Sequence, residues 1–173
     1  ETISPEGEHR YRRIEAIAEL CPHEPEHARL VELGAHADTR VVSFTVTEAG
    51  YGLDGAGKLD ERDPAVAADL RSYRRGGHAS SLYGVLGALL SRRRTEGNGP
   101  LTLLSCDNLR HNGTRLRAAL LRFFDLAGDP SLRDWVQANT RCPNSMVDRI
   151  TPRPDSAVRA RVSRARGPRA ARK

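Results

Sequence analysis

Lysine and cysteine are scarce in this chain, and each scarcity excludes a kind of site. Only Lys58 and Lys173 are lysine, among 28 lysine and arginine residues together. The three cysteines, Cys21, Cys106 and Cys142, are odd in number and form no Cys-x-x-Cys pair. The sequence therefore predicts neither a disulfide framework nor a bound metal, and a reducing, cytoplasmic location is expected.

The chain also lacks a hydrophobic run long enough to cross a bilayer. Its longest mostly apolar stretch, residues 82–90, is about half of the ~20 residues that a transmembrane helix requires. The sequence therefore predicts no membrane contact and a buried helix at this position. A length of 173 residues, with 38% hydrophobic and only 5% aromatic residues, is typical of a single globular domain that has its own hydrophobic core but few aromatic side chains.

The excess of positive charge lies at the C-terminal end. Residues 153–173 contain eight lysine and arginine residues and one acidic residue, Asp155, so this segment carries a formal charge of +7. Because the whole chain carries +6, the preceding 152 residues carry −1. A near-neutral body lacks the basic face of a nucleic-acid-binding protein, so only the tail could contact nucleic acid. The composition of the tail predicts disorder.

Strand-like and helix-like segments alternate along residues 1–152, which predicts a single α/β domain followed by a basic tail at 153–173. Strands are expected at 14–17, at the β-branched run 40–47, at 101–104 and near Cys142. Helices are expected at 25–33, from Asp63-Pro64 to Arg74, from Ser80 or Ser81 to Arg94, from a Thr114 cap, and from Asp129-Pro130. This alternation favours a mostly parallel sheet flanked by helices.

Two glycine-rich patterns overlap after the second of these strands, and neither has the context that phosphate binding needs. Residues 50–55 match G-x-G-x-x-G, but the residues that follow predict no helix start beneath a pyrophosphate. Residues 52–58 match part of a phosphate loop, but Leu59 stands where a magnesium-binding Ser or Thr is needed. Asp54 and Asp60 would also repel phosphate. A flexible loop is favoured over a nucleotide triphosphatase.

Polar side chains follow three successive strands. The first group is Glu48, the second is Asp107, Asn108, His111 and Asn112, and the third is Asn144, Ser145, Asp148 and Arg149. Parallel neighbouring strands would bring all three groups to one edge of the sheet, where α/β proteins bind ligands. These carboxylates, amides and hydroxyls suit a polyhydroxylated substrate, and we expect Asn112, Asp148 and Arg149 to contact it.

Each of these residues also has a structural alternative. The amides can hold turns, and the charged residues can cap a loop or pair with other residues. His111 is interpreted as a hydrogen-bonding residue rather than a metal ligand or a general base. Their joint placement favours a binding edge.

Three motifs carry a resemblance to a known family. They are residues 41–51 (VVSFTVTEAGY), 105–113 (SCDNLRHNG) and 143–152 (PNSMVDRITP). Their order and separation closely resemble the long-chain mannitol dehydrogenase family, which includes polyol dehydrogenases and hexuronate reductases, over about residues 10–153. The resemblance implies an NAD- or NADP-dependent oxidoreductase without a metal, in which an N-terminal Rossmann-type domain precedes a mostly helical one. The chain is thus interpreted as a partial Rossmann-like domain.

The same resemblance implies roles for three residues. Asn108 corresponds to the amide that helps hold the reacting oxygen near the cofactor, and Glu48 resembles the acidic residue that assists proton passage to solvent. Asp148 resembles a carboxylate of the cofactor and substrate cleft. The family's pyrophosphate loop is expected before residue 1 and its catalytic lysine after the chain, since Lys58 and Lys173 lack the apolar surroundings of a general base.

The expected function is therefore hydride transfer between NAD(P) and a sugar alcohol or keto-sugar acid, by a protein of which this chain is a portion. On this interpretation, binding of the cofactor by the chain alone is expected to be weak or undetectable. The substrate stays open among mannitol, arabinitol, hexuronates and a sugar-alcohol phosphate. The alternative is a non-catalytic binding domain that retains the scaffold and offers its basic tail to an acidic partner.

Overall fold

The helices and strands alternate along most of the chain in the computed structural model, which describes residues 2–3, 9–10, 16–21, 27–75, 81–147 and 156. The elements are β1 (Thr2–Ile3), β2 (His9–Arg10), α1 (Ala28–Ala35), β3 (Val41–Phe44), a 3-10 helix (Ala49–Tyr51), α2 (Pro64–Tyr73), α3 (Leu82–Thr95), β4 (Leu101–Ser105), α4 (Asn112–Ala127), α5 (Pro130–Asn139) and β5 (Thr140–Arg141). The predicted disorder of 153–173 concerns residues outside this part of the chain, apart from Ser156.

Strands β3, β4 and β5 form a parallel sheet with β4 in the centre, while β1 and β2 pair separately and antiparallel. In this sheet Phe44 lies opposite Ser105, and Leu101 lies opposite Thr140. The last residues of β3 and β4 therefore reach the same edge of the sheet. The predicted α/β fold, a parallel sheet flanked by helices, is confirmed.

Local capping signals fix the starts of three helices where the sequence predicts them. The Asp63 carboxylate accepts the N–H groups of Ala65 and Val66 at 2.9 and 3.1 Å, and Asp129 accepts that of Leu132 at 2.9 Å. Each aspartate is followed by proline at the first helical position, where its missing N–H costs nothing. Helix α3 begins directly after Ser81, which is also as predicted.

Other boundaries differ from the predictions. The strand predicted at 40–47 has only four residues, because the amides of Val46 and Thr47 bond to a side chain instead of a neighbouring strand. The helix predicted at 25–33 is described from Ala28 to Ala35. The strand predicted at 14–17 is wrong for Ala16 and Ile17, which have no regular structure, while 14 and 15 lie outside the described residues.

The core lies between the sheet and its helices. Leu101 and Leu103 of β4 are buried, and the predicted buried helix at 82–90 is confirmed by Leu86, Leu89 and Leu90, which are at most 3% exposed. Aromatic rings from α2, α3 and α4 contact one another at centroid distances of 5.8–6.2 Å. Within the described ranges, no helix combines the length and apolar composition that a membrane crossing requires.

A buried arginine holds the amino edge of the sheet, opposite the edge where β3 and β4 end. Arg93 of α3 is 1% exposed, and its guanidinium donates to the carbonyls of His36 and Gly99, both at 2.7 Å, and of Gly34 at 3.1 Å. The carbonyls at the end of α1 have no partner within that helix, so this cation satisfies them. Burial lowers the pKa of Arg93 from its ordinary value, with Arg40 acting in the same direction.

Replacing Arg93 by methionine should destabilise the chain strongly. We expect Arg93→Met to lower the free energy of unfolding by about 3 kcal/mol or more, because several bonds to one charged donor, each worth roughly 1.5–3 kcal/mol, are lost together. The measurement is urea unfolding followed by circular dichroism. The matched control is Arg92→Met, since Arg92 is exposed and pairs with Glu96 on the same helix. Equal losses in the two variants would contradict the assignment.

Candidate functional site at the carboxyl edge of the sheet

The carboxylate of Asp107 joins the ends of β3 and β4. This residue follows β4 and is 4% exposed. Its Oδ1 accepts the N–H groups of Val46 and Thr47, both at 2.9 Å, and its Oδ2 accepts the hydroxyl of Tyr51 at 3.0 Å. All three donors belong to the segment that follows β3. One side chain at the end of β4 therefore fixes the loop that carries Glu48.

Tyr51 forms the buried floor beneath this carboxylate. Its hydroxyl also bonds to Ser105 Oγ at 2.5 Å, and its carbonyl accepts the hydroxyl of Tyr83 at 2.6 Å. Burial raises the pKa of Tyr51 to about 12; the bond to Ser105 opposes this shift, and the bond to Asp107 and its charge add to it. The phenol thus stays a neutral donor at any physiological pH.

Asn112 ties residues 142–147 to the end of β4. Its Nδ2 donates to the Asp107 carbonyl at 3.1 Å and to Ser145 Oγ at 2.8 Å, while its Oδ1 accepts the Ser145 N–H at 2.9 Å. The Ser145 hydroxyl donates in turn to the carbonyl of Ser105 at 2.5 Å. Because Asn112 is 0% exposed and its amide is occupied by the protein, its burial favours the structural alternative over direct substrate contact.

Helix α4 begins at Asn112, two residues before the predicted cap at Thr114, so that prediction is wrong. The N-cap is His111, whose left-handed backbone has a φ of 57°. The N–H of Thr114 donates instead to the side-chain oxygen of Asn144 at 2.9 Å, across 30 residues of sequence. A distant side chain thus satisfies the start of this helix, which no local signal could reveal.

A cleft of 470 Å³ opens above this framework. Its lining is Asp107, Asn108, Leu109, Arg110, His111, Asn144, Ser145, Met146 and Val147. The Asn108 side chain is exposed, and none of the residues in the described ranges hydrogen-bonds to it, so its amide can donate to a ligand. Met146 is 77% exposed and Val147 49% exposed, which places an apolar surface beside the amides.

The structure brings together only some of the residues predicted for this site. Asn108, Asn144 and Ser145 line one cleft, as expected for a common edge. Glu48 is exposed at the N-cap of the 3-10 helix and is absent from the lining, although Asp107 holds its loop. Asp148 and Arg149 lie outside the described residues, and their contacts with cofactor and substrate stay predictions.

Sequence reasoning missed the residues that organise this edge. The role of the Asp107 carboxylate and the participation of Tyr51 and Ser105 were not predicted. The tyrosine at position 51 lies four residues after the end of the predicted strand. That spacing does not indicate that its hydroxyl contacts the end of β4. Their contacts span 54 to 61 residues of sequence, which a local pattern does not report.

The glycine-rich stretch after β3 folds as a turn and a tight hairpin. Gly52 has a φ of 52°, and Leu53 forms an isolated antiparallel bridge with Leu59. Lys58 is exposed in this hairpin, and the next helix starts only at Pro64. Neither glycine pattern therefore presents a helix N-terminus to a phosphate.

Among residues 27–75 and 81–147, no group of three or more His, Cys, Asp or Glu side chains is placed to hold a metal ion.

Gly113 permits the close approach of α4 to the cleft wall. A Cβ at this position would lie 2.4 Å from the carbonyl oxygen of Cys142 and 2.3 Å from that of Pro143, both backbone atoms that cannot rotate away. We expect Gly113→Ala to lower the free energy of unfolding by about 1–3 kcal/mol in urea unfolding, through this overlap. Gly99→Ala is the control, because a Cβ there meets nothing within 4 Å. Similar effects at both sites would contradict this reason.

The Tyr51 phenol should make stability fall at alkaline pH. Its pKa is about 12 in the folded chain, whereas an unfolded tyrosine ionises near 10, so its contribution is complete below pH ~10 and is lost as the pH rises through about 12. Urea unfolding at a series of pH values measures this loss. Tyr51→Phe should make the decline shallower by up to ~1.4 kcal/mol per pH unit. An unchanged slope would argue against the assignment.

Comparisons with known proteins show which family the chain resembles. Residues 4–164 match the profile described as the mannitol dehydrogenase Rossmann domain. A D-arabinitol 4-dehydrogenase from Ralstonia nicotianae is 52% identical over 167 residues, which are 96% of this chain and 35% of that protein. The corresponding enzyme of Klebsiella pneumoniae is 44% identical over 162 residues, 94% of this chain and 34% of that protein. The chain thus spans about a third of the length of these curated relatives.

Solved structures give the same result. A ternary complex of mannitol 2-dehydrogenase from Pseudomonas fluorescens with NAD and D-mannitol is 37% identical, with a TM-score of 0.60 over 78% of this chain and 27% of that one. A substrate-free D-sorbitol dehydrogenase is 36% identical, with a TM-score of 0.62 over 79% of this chain and 28% of that one. The chain therefore belongs to the mannitol dehydrogenase family, and the matched region is its Rossmann domain.

Proposed function

We propose that this chain forms one wall of the reaction cleft of an NAD(P)-dependent polyol dehydrogenase, in which hydride passes between a carbinol carbon and C4 of nicotinamide. The observation that carries the proposal is the exposed Asn108 amide, which lies on the cleft immediately after the buried, fully bonded Asp107. The proposal is also supported by a relative that is 52% identical to this chain and is a D-arabinitol 4-dehydrogenase.

Asn108 supplies a hydrogen bond to the reacting oxygen in this proposal. A side-chain N–H aimed at a developing alkoxide stabilises the transition state more than the ground state, because the negative charge grows as the reaction proceeds. The amide has no competing partner among the described residues and faces the cleft. Polarisation of a ketone or an alcohol oxygen is therefore the chemistry that suits it, and the cofactor, when bound, accepts or donates the hydride.

The remaining predicted residues have supporting roles in the same proposal. Glu48 is an exposed carboxylate on the loop next to the cleft, a position that suits transfer of a proton to solvent. Asp148 and Arg149 follow Val147 of the cleft lining and are proposed to contact the cofactor and the substrate. Asn112 acts on a ligand only through Ser145, which it holds at the cleft.

The described residues fit the reacting end of a dinucleotide rather than its phosphates. Exposed amides and the apolar surface of Met146 and Val147 suit the nicotinamide end. The hairpin at 53–59 offers no helix N-terminus for a pyrophosphate. We propose that parts of the longer relatives beyond the matched third provide this cradle and the general base. Binding of NAD(P) by the chain alone should then be weak.

The charge of the C-terminal segment is the observation behind a second candidate function, because residues 153–173 carry a formal charge of +7. A non-catalytic binding domain on the same scaffold, with the basic segment 153–173 for an acidic partner, would need no base.

For either function we propose a reducing, cytoplasmic location, since the thiols of Cys106 and Cys142 form no disulfide.

The test places this chain in the aligned region of the Ralstonia nicotianae D-arabinitol 4-dehydrogenase. We expect the chimera to form NADH or NADPH with at least one member of a panel of pentitols, hexitols and hexuronic acids. In the chimera, Asn108→Ala should lower kcat about 10²- to 10³-fold, the loss seen when one oxyanion donor is removed. The measurement is the initial rate of NADH or NADPH formation at a series of substrate concentrations, which gives kcat and KM for the unmodified chimera and for its Asn108→Ala variant.

Asn139→Ala is the control for this loss. Asn139 ends α5 beside the amino edge of the sheet, and its amide donates to the Trp135 carbonyl at 2.9 Å. Its removal should leave kcat within about twofold, because it is remote from the cleft. Equal kcat values for the unmodified and Asn108→Ala chimeras would remove Asn108 from the mechanism. A folded chimera without activity on any member of the panel would favour the non-catalytic candidate.

A further inference from the structure

Thr47 has a backbone conformation that a β-branched residue rarely adopts. Its φ is 62°, in the left-handed region, where the branched side chain crowds the backbone. Such a conformation persists only where the surrounding structure enforces it, and strained residues of this kind cluster at functional sites. Thr47 directly precedes Glu48, which makes the source of this constraint relevant to the cleft.

The constraint comes from the Asp107 carboxylate. The N–H groups of Val46 and Thr47 converge on its Oδ1, each at 2.9 Å. The φ of Thr47 turns the chain between its own N–H, which is bonded to Oδ1, and Tyr51, whose hydroxyl is bonded to Oδ2, so the two bonds together fix the direction in which the chain leaves Thr47. These donors and the Tyr51 hydroxyl satisfy the carboxylate oxygens, and none of the cations in the described ranges pairs with them.

The same carboxylate also holds the far end of the segment. The Tyr51 hydroxyl donates to Asp107 Oδ2 at 3.0 Å, so residues 46–51 are attached at both ends to one side chain. Glu48 lies between the two attachments and keeps an exposed side chain. Asn108, on the other side, is joined to Asp107 by a single peptide bond. The carboxylate is therefore the element common to both strand ends.

We propose that Asp107 is a positioning residue, which enforces the left-handed Thr47 and thereby sets the place of Glu48 relative to Asn108. This inference rests on the proposed function for the roles of Glu48 and Asn108, but the holding of the segment is independent of any activity. A positioning role predicts something that a purely structural role does not. The effect of removing the Asp107 carboxylate should depend on whether residue 47 needs an external constraint to keep its left-handed backbone.

The substitution Thr47→Gly removes that need. Glycine adopts positive φ without steric cost, so the Thr47→Gly chain keeps the turn when the carboxylate is gone. Asp107→Asn retains the shape of the side chain but offers one acceptor oxygen instead of two, so the Val46 and Thr47 amides and the Tyr51 hydroxyl can no longer all donate to it. In the native background, we expect this variant to release Thr47 and move Glu48. In the Thr47→Gly background, the same change should disturb Glu48 much less.

The experiment records ¹H–¹⁵N spectra of the whole 173-residue chain for Asp107→Asn in both backgrounds. We expect the backbone amides of residues 46 and 47 to exchange with solvent at least about tenfold faster in Asp107→Asn, while the amide of Leu103 in β4 keeps its protection. The displacement of the Glu48 signal should be at least about halved in the Thr47→Gly background. Asp125→Asn, on the exposed face of α4, is the control and should move none of these signals.

Equal displacements of Glu48 in the two backgrounds, or unchanged exchange at Val46 and Thr47, would overturn the proposal. If Asp107→Asn does not fold in either background, Tyr51→Phe decides. That variant keeps the carboxylate and should move the Glu48 signal while the Thr47 amide stays protected; an unmoved Glu48 signal contradicts the proposal.

Catalysis gives a separate measurement in the chimera described above. Asp107→Asn should lower kcat at least about tenfold with a change in KM below about threefold, and Thr47→Gly added to it should restore part of kcat. A loss of kcat that Thr47→Gly does not reduce contradicts positioning through residue 47. An inactive unmodified chimera rejects the proposed function, while the spectra still decide whether Asp107 holds the segment.

Discussion

A buried carboxylate that is satisfied by backbone amides and a phenol, rather than by a cation, organises the edge of the sheet where β3 and β4 end. At 4% exposure the Asp107 carboxylate needs hydrogen-bond partners within the protein, and three donors from one segment supply them. Those donors exist in that arrangement only because β3 ends at Phe44 and the chain then turns. The end of the strand, the strained Thr47 and the depth of Tyr51 are therefore parts of one arrangement.

A second layer of amides extends this framework to the cleft wall. Asn112 and Asn144 connect the start of α4 to residues 142–147, and Gly113 allows the two backbones to approach. Every polar atom of the Asn112 side chain is used in these contacts, whereas the exposed Asn108 amide has no hydrogen-bond partner among the described residues. The difference between the two amides follows burial, not residue type, and sequence alone does not distinguish them.

The sequence predicts the parts of the fold whose causes are local. Aspartate followed by proline marks the starts of α2 and α5, because the cap and the first turn lie within three residues of each other. The parallel sheet follows from the alternation of strands and helices. The start of α4 and the end of β3 could not be predicted, because Asn144 and Asp107 act on them across 30 to 61 residues of sequence. Glu48 was expected on the cleft itself because the strand was predicted to run to residue 47.

The opposite edge of the sheet is built on a different principle. Arg93 binds the carbonyls of Gly34, His36 and Gly99 and has no carboxylate among these partners. Carbonyl oxygens neither gain protons in mildly acidic solution nor exchange their partner for a dissolved counterion. The bonds that attach α1 and α3 to the beginning of the sheet therefore contain no acceptor that protonates in mildly acidic solution, so we expect this attachment to outlast the carboxylate-based one as the pH falls.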